Sequence, residues 1–152
     1  MKKVTLIAAL TTGLLLSTSL WAQANGLISV ASPRSAAETM ARLEGIVKER
    51  GLNVFARIDH AAGAAKIGKT LRPTELLIFG NPQGGTPLME CAQTAGIDLP
   101  LKALVWTDDA GKVMLSYNDP EYLAKRHGAA SCLAVENLKK ALNGIAQAAV
   151  AP

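Results

Sequence analysis

The sequence predicts an α+β domain, and three observations carry that prediction. Short β-prone runs and helix-period stripes follow one another along the chain in the order βαβ(α)βαββαα. Two of the strands are neighbours joined by a short turn that ends in glycine, so they pair as a hairpin. The helical stripes are long enough to cover one face of the resulting sheet.

Each element has a local reason. Leu27-Ile28-Ser29-Val30 is the first β-prone run, and Pro33 ends it by removing a backbone donor. Ser35 with Glu38 three residues later matches a capping box, after which Met40, Leu43 and Val47 share one helical face until Gly51. From Asn53 to Asp59 the residues alternate, with Val54, Ala56 and Ile58 on one side and Phe55, Arg57 and Asp59 on the other, as in a half-buried strand. Ala61 to Ile67 predicts a short helix limited by Gly63 and Gly68. The continuous apolar run Leu76-Leu77-Ile78-Phe79 predicts a central strand covered on both faces.

Gly80 to Gly85 is the densest cluster of breakers, and Thr86-Pro87 behind it predicts a helix over Leu88 to Thr94. Leu101 to Thr107 and Lys112 to Asn118 are the hairpin strands, turned through Asp108-Asp109-Ala110-Gly111. Asp119-Pro120 opens a short helix through Arg126. Ser131 starts a last helix in which Val135, Leu138, Leu142, Ile145 and Ala149 form one stripe.

Ahead of these elements, Lys2 and Lys3 precede an uncharged apolar run from Val4 to Trp21, and Ala22-Gln23-Ala24 supplies the small residues a signal peptidase admits. The expectation is a leader over residues 1–24, cleaved after Ala24, with one domain over residues 25–152 in the periplasm or outside the cell; a retained anchor is the alternative. The membrane is then met only during export. The whole chain carries 16 Lys and Arg against 12 Asp and Glu, and without Lys2 and Lys3 the excess falls to about two positive charges. That balance, with few aromatic side chains and those mostly inside apolar runs, argues against a nucleic-acid partner. Apolar side chains on the uncovered sheet face, drawn from Phe55, Leu77 or Phe79, Leu104, Trp106 and Met114, lead to the expectation of a homodimer through that face.

Cys91 and Cys132 are the two cysteines, so a single intrachain pairing exists. In an oxidising compartment the expectation is a structural disulfide contributing about 3–4 kcal/mol by closing its loop; unpaired thiols or a metal or redox role are the alternatives. A redox role lacks the C-x-x-C spacing.

Five ordered stretches carry a family resemblance: Phe55 to Ala61, Phe79 to Pro82, Gly84 to Met89, Leu99 to Trp106 and Ser116 to Pro120. Together they resemble domain-of-unknown-function family 302, in an exported bacterial branch, over about Gly26 to Ala146. The resemblance implies a single two-layer α+β domain, an antiparallel sheet of about five strands with helices on one face, similar in architecture to the TATA-binding-protein-like folds. It implies no activity, and the architectural likeness to a DNA-binding fold carries no function with it.

Asp59-His60 is the sharpest polar pair: an imidazole can bind a metal or move a proton, and an adjacent carboxylate can orient it. Its plain alternative is that Asp59 caps the following helix. Backbone N–H groups around Asn81, Gly84 and Gly85 offer a cradle for an anion, though the G-x-x-x-x-G-K-[ST] pattern is absent and conformational glycines are the alternative. Asp59, His60, Asn81, Gly84 and Gly85 are therefore the candidate ligand-binding residues. His127, after Arg126 at a helix end, fits a dipole-compensating role. Near His60 it would suit a metal or an axial haem site. Neither G-x-S-x-G nor a nucleophile elbow is present, so no catalytic residue is assigned. The leading expectation is an exported, non-enzymatic domain binding a small ligand or a protein partner in a polar cleft around Asp59, His60 and Asn81 to Gly85, with no cofactor identified. Metal or haem handling through His60 and His127, and acid–base catalysis at Asp59 and His60, are the two alternatives.

Overall fold

A computed structural model describes residues 21–22 and 25–152. Six antiparallel strands make one sheet: β1 (Trp21–Ala22), β2 (Leu27–Ser32), β3 (Asn53–Asp59), β4 (Thr74–Gly80), β5 (Leu101–Thr107) and β6 (Val113–Asn118). Their order is β1-β2-β6-β5-β4-β3. Five are full strands and β1 is a two-residue addition beside β2. The helices are α1 (Ala36–Glu49), α2 (His60–Ala65), α3 (Pro82–Cys91), α4 (Pro120–Arg126) and α5 (Ala134–Val150). This is the expected antiparallel two-layer α+β arrangement. The leader expected over residues 1–24, with its cleavage point after Ala24, lies outside the described residues except for Trp21–Ala22.

Capping sets where several helices begin. Ser35 Oγ accepts from the Glu38 N–H at 3.3 Å while Glu38 Oε2 accepts from the Ser35 N–H at 3.1 Å, closing the box that the spacing predicts. Asp119 does the same for α4 by accepting from the Glu121 N–H, with Pro120 in the first turn. α1 and α5 then lie together on one sheet face. Met40, Leu43 and Val47 from α1 and Leu142, Ile145, Ala146 and Ala149 from α5 bury against Leu77, Phe79, Val105, Leu115 and Tyr117. Each large apolar side chain so buried contributes about 1.5–3 kcal/mol. A smaller core of Leu88, Ala95, Ala124, Val135 and Leu138 fills the space beneath α3 and α4. Cys91, the last residue of α3, is bridged to Cys132 with the two Cα atoms 6.0 Å apart.

Four readings of the sequence need correction. β4 is one strand in from the β3 edge rather than central, and only Leu77 and Phe79 of its apolar run are fully buried. Both long helices cover the same face, so Leu76 and Ile78 share the other face with Leu104, Trp106 and Met114 and keep partial exposure. α3 begins at Pro82, six residues before the predicted start, because the Asn81 side chain caps it by accepting from the Gly84 N–H at 2.8 Å. Proline at the first helical position costs no bond, and Pro87 is carried inside the helix. α5 begins three residues after Ser131, since Cys132 is held in the turn that the disulfide fixes. A 3-10 turn over Gln93–Ile97 was not legible at all.

Candidate functional site

The functional residues proposed from sequence do not form one site. β3 and β4 run antiparallel, with Asn53 opposite Gly80 and Asp59 opposite Glu75. Asp59 and His60 thus stand at the far end of β3 from the Asn81 to Gly85 segment, about 20 Å away along the strand at 3.3 Å per residue. The polar cleft expected between them does not exist. Asp59 caps α2, its Oδ1 accepting from the Ala62 N–H at 2.8 Å, and His60 is an exposed first residue of that helix.

The anion cradle fails for a related reason. Gly84 N–H is taken by the Asn81 side chain, and Gly85 N–H donates to the Asn81 carbonyl at 3.1 Å. Two of the donors that would have met an anion are already satisfied.

His127 belongs to a different cluster. Its ring is buried, with 7% of the side chain exposed, and Nε2 lies 2.7 Å from Asp98 Oδ2 while Nδ1 lies 3.0 Å from Thr94 Oγ1. The Asp98 carboxylate accepts at Nε2 and the Thr94 hydroxyl bonds Nδ1, so both nitrogens are occupied. Arg126 reaches the other oxygen of Asp98 at 3.2 Å. This cluster ties the 3-10 turn to the end of α4 near the Leu101 end of β5, across the sheet from His60. The two histidines do not share a metal or haem site. Among the described residues no group of three or more His, Cys, Asp or Glu side chains is placed to hold a metal ion.

One concave feature of the described residues is a groove of about 840 Å³ that is partly open to solvent. Its one wall is the first two turns of α3 with Met89, its other wall the N-terminal half of α5, and its floor is Leu101, Leu138 and Leu142. Asn81, Gly84 and Gly85 from the sequence reading lie in it; Asp59 and His60 do not. None of the 22 lining residues is ionisable. Polar character comes from amides and one hydroxyl, at Asn81, Gln83, Asn137 and Thr86. Two large apolar side chains stand at its rim, Leu133 at 91% exposure and Phe55 at 58%.

Sequence reasoning missed Phe55, Met89 and Leu133 as groove residues. Leu133 did carry a signal, because it precedes the Val135-Leu138-Leu142-Ile145 stripe out of phase and so has no place in the core that the stripe builds. Phe55 sits where β3 slips register against β4, between Val54 and Ala56, and a register slip leaves no trace in composition.

Electrostatics are ordinary and lie elsewhere. On the β3 edge, Arg57 pairs with Glu75 and with Glu44, which raises the guanidinium pKa, mainly through the Glu75 bond. Burial, with a contribution from Asp119, raises that of the Tyr117 phenol.

Comparison with known proteins adds three findings. A fluoride-specific ion channel of Brucella suis, FluC 1, is 54% identical over 103 residues, covering 68% of this chain and 41% of the relative. Channels of Brucella abortus and Brucella melitensis, named FluC 1 and FluC 2, match at the same identity over 38% of their length. The chain thus spans about two fifths of the curated relatives it matches. These names, which denote a membrane channel, conflict with the expectation of a non-enzymatic periplasmic binding domain, and nothing in them supports metal handling or acid–base catalysis. The crystal structure of a conserved DUF302 protein from Bacillus stearothermophilus superimposes with a TM-score of 0.75 at 20% identity, covering 83% of this chain and 99% of the other, a likeness of fold. Residues 28–148, nearly all of the folded part, match the family described as Domain of unknown function DUF302, and the chain belongs to that family.

Proposed function

We propose that this chain works as a module of a fluoride-specific ion-channel assembly, standing beside the pore and not forming it. The observation that carries this reading is the 54% identity to relatives named as fluoride channels, of which the match occupies only 38–41%. The remainder of such a relative is then the candidate conducting part, carried on the same polypeptide. The fold supports the division of labour. α5, at 17 residues the longest helix among the described residues, spends its apolar stripe on the sheet, on α1 and on the smaller core beneath α3 and α4. Among the described residues no helix is long and apolar enough to cross a membrane.

The test is physical association. This chain would be produced in cells together with the part of the Brucella suis relative that lies outside the match, membranes would be dissolved in mild detergent, and the tagged channel part purified for native mass spectrometry. The expected result is a complex containing this chain in a fixed ratio. Recovery of the channel part alone, with this chain left in the unbound fraction, would overturn the reading.

A further inference from the structure

We infer that the Cys91–Cys132 bridge is a thiol-exchange site, attacked at Cys91 by a small thiolate, and that its reduction releases α3 as a bounded flap while the sheet stays folded. This chemistry is independent of the channel reading.

The two sulfurs are not equally open. Cys91 is an exposed residue at the end of α3, whereas Cys132 is 9% exposed and packs in the smaller core with Leu88, Ala129, Val135 and Leu138. A thiolate must reach the sulfur it attacks, so solvent access decides which of the two reacts. The incoming sulfur bonds to Cys91 Sγ, the bond to Cys132 breaks, and the electron pair leaves with Cys132, which takes a proton from water. A second thiolate then attacks the sulfur of the first, giving an external disulfide and a free Cys91. Two thiols of the reductant are oxidised and the one bridge of the chain is reduced.

Once the bridge is open, Cys132 keeps its place. Its N–H donates to the Ala129 carbonyl at 3.0 Å and its carbonyl accepts from the Val135 N–H at 3.1 Å, in addition to its packing. The far end of α3 has much less to hold it. Leu88 is the one buried residue of that helix, Gly84, Gly85 and Pro87 weaken it from within, and the Asn81 side chain secures its start alone.

Release is bounded on both sides. Upstream, Asn81 follows directly on β4, which pairs with β3 and β5. Downstream, buried Ala95 and the bonds of Thr94 and Asp98 to His127, at 3.0 and 2.7 Å, pin the 3-10 turn to the end of α4. Extended Ala92, between α3 and that turn, is the joint about which the helix swings. Opening lifts Leu88 out of the smaller core and displaces the groove wall that carries Pro87 and Met89, so reduction reshapes the groove.

The experiment uses the whole chain, oxidised, with dithiothreitol as reductant. Reduction without denaturant is expected to run within about a hundredfold of its rate in urea concentrated enough to unfold the chain, because the attacked sulfur is already open. A slower reaction would mean that the bond is reached only through global unfolding, and would overturn the site. Amide exchange of the reduced chain, read by mass spectrometry, is expected to be at least about tenfold faster over residues 84–91 than in the oxidised chain, and to change less than about twofold in the hairpin of β5 and β6. Reoxidation should restore the first pattern. Unchanged exchange in α3, or loss of protection in the hairpin together with it, would overturn the flap. Glutathione reads which sulfur is attacked: after an acid quench, peptide mapping should find it on Cys91 at least about tenfold more often than on Cys132. A smaller excess, or adduct on neither cysteine, would overturn that assignment.

Discussion

Three residues show how much of the chemistry is structural. Tyr117 is buried in the main core and its phenol pKa is raised, chiefly by burial. The native state therefore holds the proton to higher pH than the unfolded chain does. Stability from this source is intact below about pH 10, the unfolded value, and is lost as pH rises towards the raised native value. Denaturant titrations between pH 9 and pH 11 are expected to show that decline in the wild type and a shallower one in Tyr117→Phe. His127 holds Asp98 and Thr94 together from a buried position. His127→Ala should cost about 1–3 kcal/mol in urea unfolding, because the Asp98 carboxylate loses a partner where water is scarce. Ser35 is simpler, and Ser35→Ala should cost about 1 kcal/mol by the same measurement. The Ser35 and Glu38 partnership was legible in the sequence, since a capping box is a local pattern four residues long. The partners of His127 were not, as Asp98 and Thr94 come from a 3-10 turn about thirty residues upstream that has no periodic signature.

Among the elements, α3 is the one that intrinsic preference supports least. Two glycines cost about 1 kcal/mol each against alanine, and Pro87 removes one ladder bond. What holds it is the Asn81 cap at one end, buried Leu88 in the middle and the Cys91–Cys132 bridge at the other. Replacing both cysteines by serine should lower stability by about 3–4 kcal/mol. Amide hydrogen exchange should then show residues 84–91 losing protection before the hairpin of β5 and β6. The same composition explains why the start of α3 was misread: Gly-Asn-Pro-Gln-Gly-Gly looks like a loop until Asn81 is recognised as a cap with Pro82 behind it. Misplacing β4 has another cause. An apolar run of four reports how buried a strand can be, whereas its rank in the sheet depends on pairings with β3 and β5 that are remote in sequence.

For the molecule as a whole, hydrophobic periodicity was enough to give the two layers, because α1 and α5 each carry one stripe and the strands each carry one face. It was not enough for the site. The groove is assembled from α3, the Leu99 to Leu101 segment and α5, and an uncharged concavity made from three separated stretches has no motif to announce it. Asp59 and His60 drew attention as the sharpest local chemistry, yet one caps a helix and the other is an exposed residue at the wrong end of β3. The proposed function rests on the likeness to relatives named as fluoride channels.

Fluoride release tests that account most directly. Cells carrying the channel part of the Brucella suis relative, with or without this chain, would be loaded with fluoride, diluted, and followed with a fluoride-selective electrode. The account expects release to change at least twofold when this chain is present. Identical release with and without the chain, at equal amounts of channel in the membrane, would contradict it.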